Sequence, residues 1–331
     1  MTSQASTSPT IGTAPRRFGA LAPAVFAAVI ALGIAAPFLG LYPILLMKLL
    51  CFALFACAFN LLIGYVGLLS FGHAMFFGGA AYATGHAIKV WGFTPELGIL
   101  FGMLVAAGLG LVVGAIAIRR QGIYFAMITM ALAQMFYFFA LQAPFTGGED
   151  GLQGVPRGAL FGVLSLGNDL TLYYVVLAIV AASWLFIARV VHSPFGQILK
   201  AIRENEPRTI SLGYDSDRFK LVAFVLSATL AGLAGALKCL ILGFATLSDV
   251  HWATSGSVIL MSLIGGIGTL SGPVVGAFII TGLENVLADR VGSWVTVILG
   301  VIFVVSVLLF RKGLVGTLHG LLGRGDRTHA A

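Results

Sequence analysis

Apolar residues run in stretches of about twenty along the chain from residue 18 to residue 310, and the polar residues fall in the gaps between them. Each stretch suits the ~20 helical residues that cross a hydrocarbon core of ~30 Å, and none alternates strictly as an outer-membrane strand does. The pattern predicts helical spans at about 18 to 38, 43 to 64, 71 to 88, 97 to 118, 122 to 141, 171 to 189, 220 to 243, 254 to 269, 273 to 288 and 292 to 310. Between the sixth and the seventh the pattern changes character. From Arg189 to Lys220 the chain carries ten of its 31 charged residues. A charge at mid-membrane costs about 2.5 to 3.5 kcal/mol, so this stretch lies in water.

Its local signals are those of short helices. Ser193 can cap a helix that has Pro194 in its first position, and Phe195, Ile198, Leu199 and Ile202 then share a face while Gln197, Lys200, Arg203 and Glu204 fall on others. Pro207 can open a second helical turn, Gly213 suits a left-handed cap, and Asp215 or Asp217 can cap the next span. Such an element serves either as a docking site for a soluble partner or as a solvated connector.

Composition agrees with the pattern. Hydrophobic residues make up 59% of the 331 and charged residues 9%, where a soluble domain carries about 25%. The fold class expected is an all-α polytopic membrane protein of about ten transmembrane helices. Threading them with both termini in the cytoplasm puts fourteen basic residues inside and five outside, namely Lys48, Lys89, Arg157, Lys238 and Arg290. The net charge of +7 is thus distributed as a topology signal and needs no nucleic acid to explain it. Lys48 and Lys238, near the outer ends of apolar runs, are expected to snorkel to the interface. Residues 1–17 read as an uncleaved cytoplasmic tail, 18–312 as the transmembrane domain with a cytoplasmic loop at about 190–219, and 313–331 as a second cytoplasmic tail. Cys51, Cys57 and Cys239 lie in apolar spans without metal-ligand spacing and read as packing residues.

Enzyme chemistry finds no foothold, and no cofactor or metal site is expected. No lysine follows a glycine, so the phosphate-cradling Gly-Lys-Ser/Thr is missing; there is no HExxH, and Ser271 has no histidine in a later span to act as base. A pathway is suggested instead by two glycine-interrupted apolar runs, "GYVGLLSFGHAMFFGGAAYA" from Gly64 and "LMSLIGGIGTLSGPVVGA" from Leu260. They read as paired broken or re-entrant helices, or as segments whose glycines allow close helix packing. Asn60, His73 and Gln134 are the candidate pathway residues. His73 could donate to a neighbouring helix as a structural group or titrate in a proton path. Glu284 sits near an outer helix end. In the outer segment "TGGEDGLQGVP", Glu149 and Asp150 supply charge that could steer a partner, unless the segment is a lid.

These two glycine-rich runs, taken with "GIYFAMITMALAQMFYFFA", "TGGEDGLQGVP", the charged stretch running into "LVAFVLSATLAGLAGAL", and "LFRKGLVG", resemble the branched-chain amino acid ABC transporter permease family, specifically its LivM-type subunit. The resemblance covers about residues 40 to 316. It implies a non-enzymatic permease half in a bacterial inner membrane, partnered by a LivH-like permease, two cytoplasmic ATPases and a periplasmic solute-binding protein. It also implies that the central loop is a coupling helix seated in an ATPase groove. Phe195, Ile198 and Ile202 would then hold the element to the membrane domain or fill the groove; Arg203, Glu204 and Glu206 would meet the ATPase, and Gly213 would end the element. Glu149 and Asp150 would meet the solute-binding protein. The competing readings are a homodimeric sugar-type ABC permease and an ion-coupled secondary carrier.

Overall fold

Pro43 occupies the first turn of a 23-residue helix, α1 (Pro43–Tyr65), where its missing N–H costs nothing. α1 is apolar all round, which suits a helix surrounded by protein. The computed structural model describes residues 33, 36–39, 42–160, 162, 164–309 and 313–314. After α1 come α2 (His73–Lys89), α3 (Pro95–Ala117), α4 (Ile123–Gln142), α5 (Asp169–His192), the short α6 (Pro194–Glu204) and α7 (Glu206–Ser211), α8 (Ser216–Leu242), α9 (Trp252–Gly265), α10 (Gly272–Val291) and α11 (Val295–Leu309). The one sheet among the described residues is a hairpin pairing β1 (Ala159–Leu160) with β2 (Leu164–Ser165), antiparallel.

Among the described residues five helices, α1, α3, α4, α5 and α8, are long and apolar enough to cross a membrane. α1 and α8 form the centre, each with 78% of its most apolar window buried, while α3, α4 and α5 stand at the rim with 33%, 22% and 28% buried. Small residues let α8 approach its neighbours at backbone distance. A Cβ on Gly232 would overlap that of Ala106 on α3, and one on Gly235 would overlap the Phe77 carbonyl on α2. On α4 the large side chains of Ile123, Tyr124, Met127, Met135 and Phe138 are exposed. In lipid such exposure carries no hydrophobic penalty.

The helices agree with the expected spans to within about four residues. The expected first span falls mostly outside the described residues; within it Ala36–Leu39 forms a 3-10 turn. Two boundaries differ for a physical reason. The expected 254 to 269 helix stops at Gly265, because Gly266 and Gly268 take positive φ values of 120° and 78° that end the helical ladder. The remaining α9, at 14 residues, is roughly 21 Å long by helical rise, short of the ~30 Å hydrocarbon core. The expected 71 to 88 helix begins only at His73, after a non-helical stretch from Gly67 to Gly72. Each glycine-rich run therefore contains a break between two helices.

Lys238 does not snorkel. Its ammonium pairs with the Asp249 carboxylate inside the bundle, the two side chains only 10% and 7% exposed, and it lies 5.8 Å from the Phe77 ring centre. Asp249 also accepts from the Thr246 N–H at 3.3 Å and the Thr246 hydroxyl at 3.1 Å. The lysine is four residues short of the end of α8, and the chain returns over it at once, so a partner reaches it before water does.

Candidate coupling site

The end of α1 meets the second break. Asn60, five residues before the end of α1, donates from Nδ2 to the Thr269 carbonyl at 2.9 Å and accepts at Oδ1 from the Gly268 N–H at 3.0 Å. One amide thus satisfies two backbone groups of a segment more than 200 residues away, which no helix or strand would otherwise pair. The approach is at backbone distance: a Cβ on Gly64 would lie 2.8 Å from the Gly268 nitrogen and 3.0 Å from its Cα. Trp184 of α5 donates to the Leu270 carbonyl at 3.1 Å, a third tie on the same break. Gly313 and Leu314, expected to begin the second tail, pack here too. Gly313 is buried against Gly265 and Gly266, and Leu314 is half-buried against the core.

The charged stretch folds over this junction. The Ser193 hydroxyl accepts from the Gly196 N–H at 3.3 Å and starts α6, with Pro194 at its first position. Asn205 Oδ1 accepts from the Arg208 N–H at 3.1 Å and starts α7. Asp215 Oδ1 accepts from the Arg218 N–H at 3.3 Å and starts α8. Gly213, with φ of 90°, makes the turn between α7 and α8. These caps make the loop a sequence of short, fixed helices.

α6 sets its apolar face on the bundle. Leu199 and Ile202 are buried, Phe195 and Ile198 are half-buried, and the Phe195 ring stacks on Phe219 of α8 at 5.7 Å. Arg203 lies beside that face, and its stem passes over Gly67, where a Cβ would sit 3.1 Å from Arg203 Cγ. Its guanidinium Nη1 donates to the Gly64 carbonyl, one of the terminal carbonyls of α1 that no helical N–H reaches. A cation at that end also suits the negative pole of the helix. Lys200 adds a second contact, its ammonium 5.7 Å from the Tyr65 ring centre. Glu206 turns inward as well. It accepts from the buried Lys220 ammonium and, at 2.9 Å, from Gln121 Nε2 of the α3–α4 turn. Of Arg203, Glu204 and Glu206, Arg203 and Glu204 are exposed, and Glu204 has no hydrogen-bond or ion-pair partner among the described residues.

His73 stands apart from this junction. Its Nε2 lies 2.8 Å from the Ser227 hydroxyl, which in turn donates to the Ala58 carbonyl at 2.5 Å, so it pins α2 to α8 and α1. Phe59, Phe76 and Phe224 present edges or faces to its ring at 5.1, 5.6 and 5.9 Å. Its Nδ1 has no partner among the described residues, and neither has the half-buried Gln134 Oε1 on α4. Asn60, His73 and Gln134 therefore do not form one cluster. No group of three His, Cys, Asp or Glu that could hold a metal occurs among the described residues.

At the opposite end of the bundle, Glu149 and Asp150 are exposed on a 3-10 turn. Their segment is tied down just beyond them. Leu152 and Ala245 exchange backbone hydrogen bonds of 2.9 and 2.8 Å, Val155 N–H reaches the Gly243 carbonyl at 2.8 Å, and Lys89 donates to the Gln153 carbonyl at 2.7 Å. Arg157 pairs with Asp169 at 2.6 Å and donates to the Ile241 carbonyl at 2.9 Å. The segment is an anchored platform, not a free loop.

Some residues of the candidate site gave no sequence signal. Gly64 and Gly268 stood out as packing glycines, but Thr269 did not, and Gln121 and Lys220 matter only because the fold brings Glu206 to them.

Comparison with known proteins places this architecture. Residues 41–307 match the family profile described as the branched-chain amino acid transport system / permease component. The chain is 27% identical over 283 residues to the high-affinity branched-chain amino acid transport system permease protein LivM of Escherichia coli (strain K12), covering 77% of this chain and 65% of that one. It is 26% identical over 245 residues to the autoinducer 2 import system permease protein LsrC of Yersinia enterocolitica, covering 70% and 64%. The chain thus spans just under two thirds of the length of these curated relatives. No solved structure matches it significantly. With the profile running from α1 into α11 and across both helix breaks, the chain belongs to the branched-chain amino acid transport system permease component family.

Proposed function

We propose that this chain is one permease half of an ATP-binding cassette importer for branched-chain amino acids, set in a bacterial inner membrane with both termini in the cytoplasm. It has no catalysis of its own. A LivH-like permease completes the pathway, two cytoplasmic ATPases supply the energy, and a periplasmic solute-binding protein delivers the substrate to the end that carries Glu149 and Asp150. The observation that carries this reading is α6. It is a capped amphipathic helix whose apolar side rests on the bundle and whose other side, with Gln197 and Glu204, is open to a partner. A mere connector needs neither the caps nor the seat.

The basic residues support the orientation, since α6, α7 and the Arg119-Arg120 turn all lie on the side that the fourteen-to-five asymmetry makes cytoplasmic. Branched-chain substrates are favoured by the two LivM relatives, which match 77% of the chain where the LsrC relatives match 70% or less. Co-expression with a candidate second permease and ATPase tests the assignment. A complex that co-purifies and hydrolyses ATP faster with a leucine-loaded binding protein supports it; stimulation by an autoinducer-loaded protein alone would transfer the substrate to the LsrC-like class.

A further inference from the structure

We infer that Arg203 and Asn60 are transmission residues, which carry movement of α6 into the end of α1 and the second helix break, and that Arg203 does not serve as an ATPase contact. This rests on the permease reading above. If a soluble ATPase moves α6, the movement is useful only where something stiff joins α6 to the elements that line a pathway. Most of the seat of α6 is apolar and can slide, because packed aliphatic groups lose little when displaced together along a groove. Arg203 is different. Its bond to Gly64 has one acceptor, and the acceptor is the end of the central helix α1.

From Gly64 the connection continues without a flexible link. Gly64 and Gly268 touch through their backbones, and neither can move across the other without separating the Asn60 amide from Gly268 N–H and Thr269 carbonyl. A peptide group stranded by that separation loses a partly buried hydrogen bond, so the end of α1 and the second break move as a unit. Thr269 in turn holds the start of α10, its hydroxyl accepting from the Gly272 N–H at 3.1 Å and donating to the Gly266 carbonyl at 2.8 Å. The path therefore runs α6, Arg203, Gly64, Asn60, Gly268, α10. It joins the first glycine-rich run to the second through one guanidinium and one amide.

The variants separate this role from two simpler ones. Arg203→Gln keeps much of the stem over Gly67 and removes the charge; Arg203→Lys keeps a cation near the same carbonyl; Asn60→Leu keeps the volume and removes the amide. Each is assembled with the second permease and both ATPases in vesicles, and three quantities are read: ATPase bound per permease, ATP hydrolysed, and substrate taken up per ATP. The wild-type complex is the control on the reading itself, since a wild type that transports leaves that reading in place whatever the variants do. We expect Arg203→Gln and Asn60→Leu to bind ATPase as the wild type does and to hydrolyse ATP, with uptake per ATP falling roughly tenfold. Arg203→Lys recovers part of it, and combining Arg203→Gln with Asn60→Leu costs no more than the worse of the two, because both cut one path. Uptake per ATP equal to wild type in the folded variants overturns the inference. So does a loss of uptake by Arg203→Gln that merely follows lost ATPase binding. If Arg203→Gln fails to reach the membrane, Arg203→Lys and Asn60→Leu decide by the same ratio.

Discussion

Lys238 on α8 and Asp249 on the segment that follows it form an ion pair shut inside the bundle. The pair fixes the return of the chain over the end of α8, and through Leu152 and Ala245 that return carries the platform on which Glu149 and Asp150 sit. One buried interaction thus supports the surface to which a binding protein would come. A buried pair adds little over an apolar replacement of the same volume, but either charge alone is costly. Lys238→Met or Asp249→Leu is expected to destabilise by about 3 to 5 kcal/mol, and the double variant to recover most of that. Thermal unfolding of the purified complex checks it. Single costs below about 1 kcal/mol would mean that the pair behaves as a surface one.

Gly213 has φ of 90° and open space where a Cβ would be. The cost of substitution there is therefore conformational and not steric, about 1 to 2 kcal/mol for an ordinary L-residue and less for asparagine. Gly213→Asn is expected to retain ATPase binding, while Gly213→Val inserts normally, keeps the second permease and loses ATPase recruitment. Pull-down of the ATPases from both variants is the measurement, and equal recruitment would show that the turn between α7 and α8 plays no part in docking.

Glu149 and Asp150 project from a segment that the backbone already holds, so their charges can be reversed without unfolding it. If they steer the binding protein, Glu149→Lys with Asp150→Lys slows binding-protein-stimulated ATP hydrolysis at low salt. The deficit shrinks as ionic strength rises and the ~10 Å Debye length of 0.1 M salt shortens. A stimulation curve unchanged at every salt concentration removes the two residues from the interface.

The legibility of this chain follows the range of the interactions. Helix bodies were legible from apolar runs, and the caps at Ser193 and Asp215 and the turn at Gly213 from their neighbours, because each acts within a few residues. The breaks were legible as glycine-rich interruptions. The meeting of α1 with the second break was not: Asn60 reads as a lone polar residue in an apolar span, and nothing near it announces backbone groups 208 and 209 residues away. Helical spacing set Arg203 and Glu204 off the apolar face, and the family resemblance implied that these two and Glu206 meet an ATPase. A long arginine stem can reach the Gly64 carbonyl from such a position while the residue stays exposed, and Glu206 has Lys220 and Gln121 within reach. Lys238 departs from its expectation because sequence shows the apolar end of a helix but not the chain that folds back over it.

If this chain is the permease half proposed above, its substrate moves with energy from separate ATPases and not from an ion gradient. The direct measurement is uptake of labelled leucine into vesicles that hold the assembled complex, with the loaded binding protein on one side and ATP on the other. Uptake is recorded with and without ATP, and with and without ionophores that collapse proton and sodium gradients. The account predicts uptake that requires ATP and both ATPase subunits and is unchanged by the ionophores. Uptake by this chain alone that persists without ATP and is abolished by an ionophore would contradict it.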